Sequence, residues 1–380
     1  MKIIRNTAAA MAVIALGIGT AQADQKGVTD DTVTVGAFLP IQSGLAAGAA
    51  QVRGGGNAYF DHINKKGGVN GRKIEWITEN DSYNPQEAVS VARSMIDRTG
   101  ILAFVGTLGT VTNLAVLPLL EQKKVPLIGA IAGHPELLEP TSPYVFGILP
   151  SGDKVGAKMA RYVRDDLKAK RIAVAYQNDP FGKSPLEGLM GELGGSKIVA
   201  EVSFEPGDID LTGQVTALQN ADPDVVVLLG IAKPLALLLK TAAQRGWSPK
   251  FVAHPLATDP IFAKLGGDAV EGTDVIYMVA LPDSDQVAFV NDILSAYDPD
   301  LRPGYFAYQG VAAAMVFVQA LERIKGEITT DALLAALEQT QDFDTGIYAP
   351  ISYSKDDHAG ADRFGIATWK NGKLEVQQSW

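Results

Sequence analysis

The chain has 380 residues, of which 47% are hydrophobic and 20% charged, a composition typical of globular proteins. This length exceeds what one compact core usually contains, so two domains are expected. The net charge of −10 argues against a nucleic-acid partner, because no basic stripe is available to neutralise phosphates. Cysteine is absent, which excludes disulfides, thiol nucleophiles and thiolate metal sites.

The N-terminus has the pattern of a secretory signal peptide. Lys2 and Arg5 precede a short apolar run at 8–18, and Ala21-Gln22-Ala23 matches an A-x-A cleavage site. The apolar run is too short to span a bilayer, and no later segment reaches that length. We therefore expect cleavage after Ala23 and a soluble, exported product that rests on core packing alone.

Strand and helix patterns alternate along the chain from residue 31 to about residue 280. This alternation predicts an α/β fold with two doubly wound parallel sheets. Three helices are then predicted between residues 286 and 339. The tail is expected to form an antiparallel pair from Tyr348–Tyr353 and Arg363–Trp369, with a hairpin turn at Asn371-Gly372.

Two loops carry clear local signals. Asn84 is a good N-cap with Pro85 at the first helical position, and Glu87 completes a capping box. Further on, a buried strand at 101–105 ends in a Gly/Thr loop that opens a helix near Thr112. The free N–H groups of such a helix start, together with nearby hydroxyls, can hold a carboxylate. The three hydroxyls concerned are those of Thr107, Thr110 and Thr112. The alternative is a tight turn with capping threonines.

Motifs for catalysis are missing from the sequence. Gly182-Lys183-Ser184 resembles the end of a phosphate-binding loop, but Gln177 stands where its first glycine is required. Ser151 and Lys154 satisfy S-x-x-K without the companion motifs, so Ser151 is read as a helix N-cap. The four histidines have no metal-type spacing. The sequence predicts no enzyme activity, no metal and no cofactor.

From about residue 31 the chain resembles substrate-binding proteins of branched-chain-amino-acid-type ABC importers. The stretches that carry the resemblance are Gly67-Gly68-Val69-Asn70-Gly71-Arg72, Asp81-Ser82-Tyr83-Asn84-Pro85, Gly106-Thr107-Leu108-Gly109-Thr110 and Tyr176-Gln177-Asn178-Asp179-Pro180-Phe181-Gly182. The resemblance implies the periplasmic binding protein type I fold, with two doubly wound parallel-sheet lobes joined by a three-crossover hinge. Lobe one would comprise 30–149 plus 281–344, and lobe two 150–280 plus 345–380.

The resemblance also implies where a ligand binds. The residues it assigns to ligand binding are Leu108, Gly109, Thr110, Ala130, Ala132, Gly133, Tyr83, Phe181, Ala232 and His254. Thr110 would supply a hydroxyl to the ligand carboxylate, Tyr83 would border the cleft, and Phe181 would form an aromatic wall. Packing beside the helix that starts at Pro85 is the alternative role of Tyr83.

Two departures from the family pattern bear on the ligand. Amino-acid-binding members carry a glutamate for the α-ammonium in the loop that matches His254-Pro255, and that loop has no acid here. Ala232 replaces a frequent tyrosine. Asp179 or Asp259 could substitute for the glutamate, although each is equally explained as a turn or cap residue. The smaller side chain at 232 leaves room for an aromatic or aliphatic carboxylate, whose far end could meet His134 and His254.

The sequence therefore predicts a monomeric, periplasmic component of an ABC importer. It would carry an amino acid or related small organic carboxylate to a permease in the inner membrane. The alternatives are a sensory receptor of the same fold, an importer component for amides, urea-type compounds or aromatic acids, and an exported α/β hydrolase. The hydrolase would need an elbow serine with a paired base, and the sequence contains no such motif.

Overall fold

The computed structural model describes residues 25–139, 141–194 and 198–380, and these form two largely parallel sheets surrounded by helices. The α/β fold with two doubly wound parallel sheets is confirmed. The predicted signal peptide, residues 1–23, lies outside the described residues.

Sheet one has five strands in the order β2-β1-β3-β4-β5, and every neighbouring pair is parallel. Parallel strands that are covered by helices on both faces are expected to be apolar, and β1, β3, β4 and β5 are almost wholly buried. The strands are β1 (Thr32–Leu39), β2 (Lys73–Asn80), β3 (Phe104–Val105), β4 (Leu127–Ala130) and β5 (Val145–Gly147).

Sheet two has seven strands in the order β12-β11-β10-β9-β8-β6-β7. Its parallel part is completed at one edge by an antiparallel hairpin that pairs with β10. The strands are β6 (Ile172–Gln177), β7 (Ile198–Phe204), β8 (Val225–Leu229), β9 (Lys250–Ala253), β10 (Asp274–Tyr277), β11 (Gly365–Lys370) and β12 (Lys373–Gln378).

Apart from α8, which was not predicted, the helices follow the strands in the predicted order, with ends that shift by several residues. They are α1 (Ala46–Lys65), α2 (Pro85–Ser94), α3 (Thr110–Lys123), α4 (Gly152–Arg161), α5 (Pro180–Leu193), α6 (Thr212–Asn220), α7 (Ala232–Gln244), α8 (Pro260–Gly266), α9 (Ala288–Tyr297), α10 (Tyr305–Arg323) and α11 (Thr330–Glu338).

The start of α2 confirms the predicted cap and corrects half of the predicted capping box. Asn84 Oδ1 accepts hydrogen bonds from the N–H groups of Gln86 and Glu87, and Pro85 is the first helical residue. The Asn84 N–H donates to the backbone carbonyl of Asp81 instead of to Glu87. The tight turn before the helix thus supplies the acceptor that a capping box would have provided.

The predicted antiparallel pair in the tail is wrong in one partner. The segment 348–353 forms no strand, and only Ile351 makes an isolated bridge, to Phe343. Tyr353 is buried, and its hydroxyl donates to the Gly147 carbonyl of β5 at 2.5 Å. The segment is therefore aromatic and β-branched because it crosses the core, not because it pairs. The hairpin is β11–β12, and its predicted turn at Asn371-Gly372 is confirmed by positive φ at both residues.

The chain passes between the two sheets three times. It crosses after β5, returns after β10 to place α9 and α10 beside α1, and crosses again before β11. Helix α10 is buried almost throughout, in keeping with its largely apolar sequence. It packs tightly on α1, where a methyl group on Gly55 would collide with the Ala307 carbonyl. The exact lobe boundaries given above remain predictions.

Candidate functional site

A cavity with about 570 Å³ of space free of protein atoms lies beyond the carboxyl ends of strands from both sheets. This is the position where ligands bind in open α/β sheets. The lining is mostly apolar, and the lining residues are Leu45, Tyr83, Leu108, Gly109, Thr110, Ile131, Ala132, Gly133, Leu149, Pro150, Gly152, Val155, Phe181, Ile231, His254, Leu256, Met278, Tyr305 and Phe306.

Six α-helices begin at this cavity. Each contributes its N-cap or one of its first two residues to the lining: Leu45 before α1, Thr110 of α3, Gly152 of α4, Phe181 of α5, Ile231 before α7 and Tyr305 of α10. A helix start exposes unpaired N–H groups and carries a partial positive charge. The starts of α3 and α7 have neither a side-chain cap nor an acidic residue in their first turn. The cavity therefore presents donors and positive potential to whatever occupies it.

The loop before α3 owes its shape to Gly109, which has φ 124°. Its N–H donates to the Ile131 carbonyl, and its own carbonyl accepts from Thr112 Oγ1 and from Asn113 Nδ2. Thr107 Oγ1 donates to Asn113 Oδ1. Of the three hydroxyls predicted to seat a carboxylate, only that of Thr110 belongs to a lining residue. The other two stabilise the loop itself, because their best partners are its own polar atoms.

Tyr83 connects the two sides of the cavity. It has φ 57°, and its N–H donates to Asp81 Oδ1 at 2.9 Å. Its hydroxyl donates to Asp179 Oδ2 at 3.1 Å, across from the loop after β2 to the cap of α5. Burial, reinforced by the Asp179 charge, raises the pKa of Tyr83 well above its ordinary value. The Tyr83 hydroxyl therefore stays protonated and donates to Asp179. Tyr83 also borders the cavity, as predicted.

His254 follows β9 and is 4% exposed. Its Nδ1 accepts the Leu256 N–H at 3.2 Å, and its ring packs edge-on against Phe181 with 4.9 Å between ring centroids. Burial lowers the pKa of His254 to about 3, so the imidazole is neutral. A neutral ring whose Nδ1 accepts must carry its proton on Nε2. Nε2 has no hydrogen-bond partner in the part of the chain that the structure describes.

The two carboxylates considered as ammonium partners are occupied elsewhere. Asp179 accepts from Gln177 Nε2, from Tyr83 and from the Gly182 N–H, which caps α5. Asp259 caps α8 through the Ile261 N–H and also accepts the Phe306 N–H of α10 at 3.3 Å. Neither residue lines the cavity. Burial raises the pKa of Asp259.

The structure brings eight of the ten predicted site residues around the one cavity. Ala130 instead lies in the core of sheet one, and Ala232 lines an adjacent groove beside Gly44 and Lys233. His134 caps a short 3-10 turn through Nδ1 and does not reach the cavity.

Several lining residues were not predicted, and they come from segments without a polar loop signal. Leu149, Pro150 and Gly152 lie where the chain leaves sheet one, and Tyr305 and Phe306 begin α10. Gly304, which precedes α10, could have marked that helix start. Ser151 occupies the predicted N-cap position of α4, but its hydroxyl makes no cap hydrogen bond. Lys154 Nζ lies 3.9 Å from Glu139 Oε1.

Residues 25–139, 141–194 and 198–380 contain no group of three or more His, Asp or Glu side chains that could hold a metal ion. Within the same ranges, no helix has both the length and the apolar character needed to cross a bilayer.

Residues 32–373 match the family model described as periplasmic binding protein. The chain is 25% identical to the Leu/Ile/Val-binding protein BraC3 of Rhizobium johnstonii, over 90% of this chain and 93% of that one. Two solved structures share the fold. A fatty acid ABC transporter substrate-binding protein from Thermomonospora curvata aligns with a TM-score of 0.85 at 22% identity, over 93% of each chain. The branched-chain amino acid transporter substrate-binding protein LivJ from Streptococcus pneumoniae, solved with isoleucine, aligns with a TM-score of 0.83 at 21% identity, over 92% of this chain and all of that one.

Proposed function

Since the chain belongs to the periplasmic binding protein family, we propose that it is the solute-binding component of an ABC importer. Its ligand is an amino acid or a related small organic carboxylate, held in the cavity between the two sheets. The observation that carries this proposal is the convergence of six helix starts on one apolar cavity. The relatives named for leucine, isoleucine and valine support the same ligand class.

The carboxylate sits at the start of α3. The uncapped N–H groups there and the Thr110 hydroxyl are hydrogen-bond donors, and the helix dipole stabilises negative charge. The carbon skeleton contacts the apolar lining, including Phe181 and Leu256. On the side of sheet one, the part of the cavity that holds the carboxylate is bordered by Leu108, Gly109, Ala132 and Gly133.

Capture works by differential affinity. A ligand that touches residues from both sheets binds best when the lobes are closed, so it shifts the population toward the closed form. The Tyr83–Asp179 hydrogen bond spans the same gap and stabilises the closed form with it. We place the moving lobes at 30–149 plus 281–344 and at 150–280 plus 345–380.

The same role implies where the protein acts, its oligomeric state and its partner. The protein is exported to the periplasm after cleavage of its signal peptide behind Ala23, acts as a monomer and catalyses no reaction. The closed, loaded form docks on a membrane permease and releases the ligand there. It uses no cofactor.

Replacing Thr110 with alanine is expected to weaken binding of a small carboxylate by about 1–3 kcal/mol, the usual contribution of a hydrogen bond to a charged group. Titration calorimetry of protein refolded to remove bound ligand measures the change. Thr216→Ala is the matched control, because that hydroxyl donates within α6 to the Thr212 carbonyl. Equal affinity in wild type and Thr110→Ala would remove Thr110 from the site.

Replacing Tyr83 with phenylalanine is expected to lower ligand affinity by about 1–3 kcal/mol, because a hydrogen bond to the Asp179 carboxylate is lost from the closed form. Small-angle scattering should show a larger fraction of open protein at subsaturating ligand. Tyr144→Phe serves as the control, since this half-buried tyrosine lies outside the cavity. If affinity and compactness are unchanged by Tyr83→Phe, the bond has no part in closure.

A further inference from the structure

The cavity is suited to negative charge and not to positive charge. Among the described residues that line it there is no Asp, Glu, Lys or Arg, and the polar side chains are those of Tyr83, Thr110, His254 and Tyr305. The helix starts that reach the cavity all carry partial positive charge. Such a cavity compensates one negative charge through N–H and O–H donors, but it offers a positive charge no ionised partner.

An α-ammonium group would therefore be poorly compensated. A buried cation needs a carboxylate or several acceptors, and without them its burial costs several kcal/mol. Asp179 and Asp259, the nearby acids, already accept three and two hydrogen bonds respectively from the protein. Moving either toward a ligand would uncap a helix.

His254 favours a ligand group that accepts a hydrogen bond over one that donates it. Leu256 N–H occupies Nδ1, so Nε2 carries the hydrogen and can only donate. This nitrogen has no protein partner among the described residues, and His254 lines the cavity. On the same side, the Ile231 N–H at the start of α7 already donates to Gln177 Oε1 at 3.3 Å, so His254 Nε2–H is the donor left for a ligand there. This nitrogen is not among the fully buried atoms without a partner, so it is open to the cavity, where a ligand oxygen can accept its hydrogen.

We infer that the ligand is a small monocarboxylate that presents an acceptor oxygen, such as a 2-oxo or 2-hydroxy group, to His254 Nε2–H in place of an amino group. This inference rests on the proposed function and specifies its substrate class. A dicarboxylate is disfavoured because no cationic side chain of the described residues lines the cavity to balance a second charge. His254 is the specificity-determining residue, and it acts as a neutral donor.

The test compares matched compounds that differ only at the second carbon. Refolded wild-type protein is titrated with leucine, 4-methyl-2-oxopentanoate and 4-methylpentanoate, and with phenylalanine, phenylpyruvate and 3-phenylpropanoate. In at least one series the 2-oxo acid is expected to bind tenfold or more tightly than the amino acid and more tightly than the unsubstituted acid.

Two variants at the same position assign the preference to His254. His254→Phe keeps a ring against Phe181 but has no donor, so it should bind the 2-oxo acid no better than the unsubstituted acid. His254→Gln retains a donor and should keep most of the preference, which protects the test should the phenylalanine variant misfold.

The outcomes separate the two proposals. Amino acids that bind as tightly as the 2-oxo acids, or more tightly, would overturn the inference and leave the carboxylate-binding role intact. A preference for 2-oxo acids that survives in a folded His254→Phe protein would overturn the role of His254. If no compound of either series binds, the proposed function itself fails, and the inference fails with it.

Discussion

Replacing Gly109 with alanine is expected to lower ligand affinity by roughly a hundredfold, about 2.7 kcal/mol, and to lower the free energy of unfolding by about 1–3 kcal/mol. The residue has φ 124°, a backbone region that side chains disfavour. A Cβ atom there would lie 2.6 Å from Thr112 Oγ1 and 3.1 Å from the Tyr83 ring. Relief of these contacts must move the loop, and the N–H donors at the start of α3 move with it.

Chemical unfolding and titration calorimetry measure the two effects separately. Gly213→Ala is the control for the added methyl group, because this exposed glycine has no neighbouring atom within 4 Å of the new Cβ. It should leave binding unchanged and should not reduce stability. A Gly109→Ala protein with wild-type affinity would show that the loop before α3 does not hold the ligand.

Replacing Asp81 with asparagine is expected to increase the free energy of unfolding near pH 7 by up to about 3 kcal/mol. Burial raises the pKa of Asp81 to about 6, from 3.8. Between these values the folded state binds a proton that the unfolded chain has released. The contribution of Asp81 to stability therefore falls as the pH rises from about 4 to about 6, and above that range the buried charge is a fixed penalty.

Urea unfolding at several pH values between 4 and 8 provides the measurement. Asparagine keeps an oxygen for the Tyr83 N–H but carries no charge, so the stability difference between Asp81→Asn and wild type should grow as the pH rises. Asp30→Asn, at an exposed position before β1, is the control. A difference of the same size at pH 4 and pH 7 would contradict a raised pKa at Asp81.

Local chemistry made much of the fold predictable. Hydrophobic runs with β-branched residues identified strands such as β8, and Asn84-Pro85 fixed the start of α2 to the residue. Helix α10 is one of the three helices predicted between residues 286 and 339. The strand predicted at 348–353 was wrong because a pattern of aromatic residues does not distinguish a strand from a buried segment that crosses the core without pairing.

The site was predictable where it lies in polar loops and not elsewhere. Thr110 and Gly109 belong to a Gly/Thr loop typical of a helix start, whereas Tyr305 begins a helix that is buried along nearly all of its length. The Tyr83–Asp179 bond joins residues that are 96 positions apart, so no local pattern encodes it. The tautomer of His254 depends on the Leu256 N–H and could be assigned only from the fold.

The measurement that tests the central claim most directly is titration calorimetry of refolded protein with small monocarboxylates, carried out in parallel on wild type and Gly109→Ala. We expect saturable binding at a single site in the wild type and roughly hundredfold weaker binding in the variant. Binding of equal strength in both proteins would place the ligand outside this cavity. A folded wild-type protein that binds none of these compounds would contradict the proposed carboxylate-binding function.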